Sequence, residues 1–112
     1  MDCEFTGLHQ KTTLISIGIV DEDDNEFYAE FNDYDITQID GWIRENVINN
    51  LYHNGDKDFV KIKDGSVRVN GNRYEIRKQL TEWLFHYDQC EIWSDCYAYD
   101  WVLFNNIYLH IL

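Results

Sequence analysis

The chain has 112 residues, a size that suits one domain, and its 45% apolar and 16% aromatic content is enough for a core. Its formal net charge is −12, from 21 acidic against nine basic side chains, which excludes a protein that grips nucleic acid through phosphate contacts alone. No run of about 18 apolar residues occurs, which excludes a helical membrane span, and the three cysteines (Cys3, Cys90, Cys96) lack the spacing of a zinc site.

An odd cysteine count without a CxxC pair reads as reduced thiols, and nothing reads as a secretory leader, so the expectation is a cytoplasmic protein. So acidic a chain must avoid nucleic acid, mimic it, or bridge to it through bound cations.

Met1–Phe5 reads as a short strand, followed by a turn over Thr6–Lys11 that contains Gly7. Thr12–Val20 is β-branched and almost continuously apolar, the pattern of a central strand covered on both faces. Asp21–Asn25 is a polar turn, and Glu26–Phe31 returns as a third strand; the short links predict an antiparallel meander. The period then changes. Ile36, Ile39, Ile43, Val47 and Leu51 recur at helical spacing, with Thr37 and Asp40 resembling an N-terminal cap. Asp64–Gly65 within "FVKIKDGSVRV" predicts a type I′ hairpin, inserted near 59–70 between two helices. Val60, Ile62, Val67 and Val69 would share one face of it, and Lys61, Lys63 and Arg68 the other. "NRYEIRKQLTEWLFHY" predicts the second helix, with Ile76, Leu80, Trp83, Leu84 and Tyr87 inward. Cys90–Trp93 reads as a fourth strand, and a third helix begins near Asp100 and runs to Leu112. The predicted fold class is α/β: a mixed sheet, three antiparallel strands plus a parallel one, with helices on its faces.

Asp2 and Glu4 stand at i and i+2 of the first strand, so their side chains leave from one face, roughly 6–7 Å apart. Two carboxylates so placed repel each other. They face water, share a proton, or hold a divalent cation, and Mg²⁺ and Mn²⁺ favour such hard oxygen ligands. Asp100, at a strand-to-helix junction after "SDCYAY", is a third acid that could converge on the same sheet edge. Asp95 is its rival.

"DCEFTGL" resembles the first motif of the DEDD 3′→5′ exonuclease superfamily, which includes RNase T, oligoribonuclease and polymerase proofreading domains. The likeness is nearest to compact bacterial and phage exoribonucleases. "CYAYDWVLF" resembles the second motif, and the element order is similar to the ribonuclease-H-like fold; the likeness covers nearly the whole chain. It implies that Asp2, Glu4 and Asp100 are catalytic metal ligands for two Mg²⁺ or Mn²⁺ ions. It implies that Phe5 and Leu8 wedge against the terminal nucleotide, and that backbone N–H groups around Thr6 and Gly7 hold its sugar. The implied substrate is a single-stranded 3′ end, RNA in the nearest members. The family's third motif, a His or Tyr followed by Asp, does not occur after Asp100. The expectation is therefore a C-terminally incomplete domain, inactive or impaired as it stands. Tyr52 and Asp56 have that spacing but precede the second motif. The string Asp21–Asp24 spells the family's name by coincidence and reads as a solvated turn.

Lys57, Lys61, Lys63, Arg68, Arg73, Arg77 and Lys78 supply seven of the nine basic residues. This region could guide a nucleic-acid strand toward the carboxylates, or its valines could form a homodimer contact; otherwise it is a solubilising face. His9 could touch substrate phosphate or be a surface residue, and His53 and His86 have no assigned role. Trp42, Trp83, Trp93 and Trp101 fit core positions. The alternative function is a non-catalytic acidic module that binds a protein partner or mimics nucleic acid.

Overall fold

Strand β2 (Leu14–Val20) lies between β1 (Asp2–Phe5) and β3 (Glu26–Phe31), antiparallel to both, as the short links require. The computed structural model describes residues 1–5, 14–87 and Phe104, Asn105 and Ile107. The meander continues into β5 (Ser66–Gly71), which runs parallel to β3, and the outer strand β4 (Phe59–Lys63) pairs antiparallel with β5. The result is an α/β fold with a five-stranded mixed sheet in the order β1-β2-β3-β5-β4. The 59–70 hairpin, an insertion in the sequence, is thus the far end of the main sheet in space.

The hairpin turn follows from Asp64 and Gly65, with φ of 50° and 88°. A type I′ turn demands positive φ at both central residues. The Trp83 Nε1–H donates to the Gly65 carbonyl at 2.7 Å, tying the turn to the second helix. A β-carbon at Gly65 would stand 2.9 Å from Asn25 Oδ1. Gly65→Ala is therefore expected to cost about 1–2 kcal/mol, read as a lower thermal midpoint by circular dichroism.

One sheet face carries the main core. Ile17, Ile19, Phe27, Ala29, Val67 and Val69 alternate inward from three strands, under Ile76, Leu80 and Trp83 of helix α2 (Arg73–Leu84). Asn72 caps α2 by accepting from the Glu75 N–H at 3.0 Å. Phe104 and Ile107, helical in backbone, are buried in this core. Val67 and Val69 are spent here, so the hairpin's exposed apolar surface reduces to Val60 and Ile62.

The other face is covered more thinly, and here the predicted continuous helix over 36–51 is corrected. The segment divides into a 3₁₀ turn at Ile36–Gln38, helix α1 (Gly41–Asn46) and a second 3₁₀ turn at Ile48–Asn50. Asp35 Oδ1 accepts from the Thr37 N–H at 3.0 Å, and Asp40 Oδ1 from the Ile43 N–H at 2.8 Å. Each carboxylate starts a new turn by competing for donors that a single helix would use internally. Ile43, Val47 and Ile48 pack on Ile15, whereas Ile36 stays exposed. Trp42, expected in the core, is exposed as well; Trp93 and Trp101 lie outside the described residues. The register slips between Glu4, opposite Ser16, and Phe5, opposite Leu14. This bulge turns Ile15 to the α1 side, while Ile17 stays in the main core. β2 is thereby covered on both faces.

The Asp21–Asp24 string is a turn, as expected. Asp21 Oδ1 accepts from the N–H groups of Asp23 and Asn25, both at 2.8 Å, and Oδ2 accepts a short hydrogen bond from the Tyr87 hydroxyl. The Tyr87 bond, more than any other contact, holds the Asp21 carboxyl below its ordinary pKa. Its stabilisation is present above the unfolded value of about 3.9 and lost as pH falls through the lowered folded value. Tyr87→Phe is therefore expected to move the acid-unfolding midpoint to higher pH.

Candidate active site

The strand registers build two rows across the α1 face of the sheet. Asp2, Gly18, Tyr28, Arg68 and Lys61 are successive partners from β1 to β4, and so are Glu4, Ser16, Glu30, Asn70 and Phe59. Residues paired across a sheet share a face, so Glu4 on β1 and the basic Arg68 and Lys61 on β5 and β4 stand on one surface. Glu4 is exposed. It lines a cleft of about 480 Å³ whose floor includes Gly18, Tyr28 and Arg68 and whose wall includes Asn46, Asn50 and Tyr52. Gly18 adds no side chain opposite Asp2, which leaves the floor low beside β1.

Of the sequence-predicted site residues, Asp2 and Glu4 occupy β1 at i and i+2, Asp2 being described in its backbone alone. Phe5, expected to wedge against a nucleotide, is partly buried against the main core. Thr6, Gly7, Leu8, His9, Asp95 and Asp100 lie outside the described residues, as does the predicted strand Cys90–Trp93. Among the described residues no three His, Cys, Asp or Glu side chains gather as a metal site. Cys3 is buried.

Glu30 is a feature that sequence reading missed. It is 1% exposed, and its carboxylate accepts from the Tyr28 hydroxyl at 2.7 Å and from the N–H groups of Tyr52 at 3.0 Å and His53 at 2.9 Å. A buried carboxylate needs such donors. In return it fixes the chain after the second 3₁₀ turn and sets Tyr52 at the cleft. Burial first, and the Glu30 hydrogen bond next, raise the pKa of the Tyr28 hydroxyl, which remains a donor. Asn70, in the same row, donates to the carbonyls of Asp56 and Lys57, each at 3.2 Å. His53 Nδ1 lies 3.2 Å from Asp56 Oδ2, with its ring edge-on to Phe59. The available signal was the strict alternation in "EFYAEF", which puts Tyr28 and Glu30 together on the face away from Phe27 and Ala29.

At the basic end, the Arg68 guanidinium lies 5.4 Å from the ring centroids of both Tyr28 and Tyr52. The two rings meet edge to face at 5.7 Å. Lys61 Nζ lies over Phe59 at 5.2 Å. The expected division of the hairpin holds in the register: Val60 pairs with Val69 and Ile62 with Val67, while Lys61 pairs with Arg68.

Two curated proteins of Mycobacterium tuberculosis are similar to this chain. They are named 3′-5′ exoribonuclease Rv2179c, from strain H37Rv, and 3′-5′ exoribonuclease MT2234.1, from strain CDC 1551. Each is 31% identical over 103 residues, covering 90% of this chain and 55% of the relative. The chain thus spans about half the length of the curated relatives it matches. No family model matches the sequence. No helix among the described residues is long and apolar enough to cross a membrane.

Proposed function

We propose that this chain forms the metal-binding part of a DEDD-type 3′→5′ exoribonuclease with a ribonuclease-H-like fold. The observation that carries the reading is the position of Asp2 and Glu4 at i and i+2 on the first strand of an antiparallel meander, with Glu4 lining an open cleft. The similarity to two proteins named 3′-5′ exoribonucleases supports the reaction and RNA as the substrate. Asp100 would then join them at the same sheet edge.

The donor set fits hard divalent ions: carboxylate oxygens on a rigid strand, with space on the floor at Gly18. Asp2, Glu4 and Asp100 would hold two Mg²⁺ or Mn²⁺ ions. Such ions, when bound, lower the pKa of a water nucleophile and offset charge on the leaving 3′ oxygen. The chain's own residues orient the strand end. Backbone N–H groups at Thr6 and Gly7 would bind the terminal sugar and Leu8 would limit its depth, whereas Phe5 packs toward the main core. Positive charge brought to the carboxylates also reverses the local sign, which lets a chain of net charge −12 accept phosphate. The general base and the fourth carboxylate of such enzymes are not assigned within these 112 residues.

The direct test is trimming of a 5′-labelled RNA by the full-length protein with Mn²⁺. A ladder that shortens from the 3′ end and stops on chelation supports the reading. Intact RNA under both conditions refutes it.

A further inference from the structure

The cleft extends beyond Glu4 across β2 and β3, where Glu26 also lines it, to Arg68 on β5. Arg68 is half-buried on the floor and held between two aromatic faces. Among the described residues it contacts those rings and has no carboxylate at ion-pair distance, in a chain with 21 acidic residues. A guanidinium stacked in this way is pre-oriented and keeps its N–H donors for a planar or phosphate partner. Tyr52 beside it is 75% exposed, an uncommon state for a ring whose backbone N–H is fixed on buried Glu30. Three strand spacings separate the register positions of Asp2 and Arg68, or roughly 14 Å, which exceeds the reach of a terminal nucleotide.

We propose that Arg68, seated on Tyr28 and Tyr52, is a subsite for single-stranded RNA upstream of the terminal nucleotide. Arg68 contacts an internucleotide phosphate, and the exposed Tyr52 ring stacks a base. The subsite rests on the exonuclease reading for its polarity, and it makes binding depend on strand length. A dinucleotide reaches the carboxylates alone, whereas an octanucleotide spans both ends.

The test measures binding by fluorescence anisotropy, in Mn²⁺, of a dinucleotide and an octanucleotide with phosphorothioate 3′ linkages. Arg68→Ala is expected to weaken the octanucleotide about tenfold and to reduce its salt slope by about 0.7, the loss of one phosphate contact. Dinucleotide affinity should stay within about twofold. Arg68→Lys should keep the salt slope yet lose part of the affinity, because the ammonium lacks the planar fork. Tyr52→Ala should cost about tenfold on the octanucleotide with the slope unchanged. Thermal midpoints equal to the wild type would separate these effects from misfolding. Retention of the wild-type length dependence and slope by Arg68→Ala overturns the subsite and leaves the exonuclease reading standing. Failure of the wild type to bind either oligonucleotide overturns both.

Discussion

Asp2→Ala should remove metal-dependent 3′ trimming by the full-length protein, by more than about a hundredfold. Even the loss of a residue that only orients a metal ligand typically costs 10–100-fold, and Asp2 is assigned as a ligand itself. Stability should move the other way. Asp2 and Glu4 are like charges at i and i+2 of β1, and deleting one should relieve their repulsion. The thermal midpoint of Asp2→Ala should therefore equal or exceed that of the wild type, measured without metal. Activity lost while stability is kept is the mark of residues placed for function at a cost to the fold. A variant that loses both together would make Asp2 a structural residue.

Glu30→Ala should be among the most destabilising single changes in the chain. It strands three donors: the Tyr28 hydroxyl and the N–H groups of Tyr52 and His53. Each unsatisfied buried donor costs about 1–3 kcal/mol, so a loss of about 3 kcal/mol or more is expected. That would lower the thermal midpoint by about 12 °C or more. Glu30→Gln keeps one carbonyl acceptor and should recover part of the loss. Hydrogen exchange would locate the effect, with the amides of Tyr52 and His53 exchanging fastest. Because the same bonds set Tyr52 at the cleft, the octanucleotide affinity of Glu30→Ala should fall toward that of Tyr52→Ala.

The meander and the hairpin were legible because period-two alternation and the Asp64–Gly65 turn are local signals. The 36–51 segment departs from its helical spacing for a physical reason: Asp35 and Asp40 each cap a separate short turn. Spacing reports which face is apolar and says nothing of where a carboxylate will capture a backbone donor. The Asp2–Glu4 pair was legible because both residues lie on one strand. The link from Glu4 to Arg68 was not. It depends on β3 and β5 pairing in parallel, with Tyr28 opposite Arg68, across a connection that no local pattern encodes. Glu30 was legible only in its pairing with Tyr28, since its other two donors, the amides of Tyr52 and His53, lie more than 20 residues away. Part of the acidic content is spent locally, with Asp21, Asp35 and Asp40 acting in turns and caps.

Calorimetric titration of Mn²⁺ into the full-length protein, beside its Asp2→Ala and Asp100→Ala variants, addresses the carboxylate assembly without requiring turnover. Saturable binding by the wild type that disappears in both variants is the expected result. Binding of equal strength in all three would mean that these acids do not share an ion.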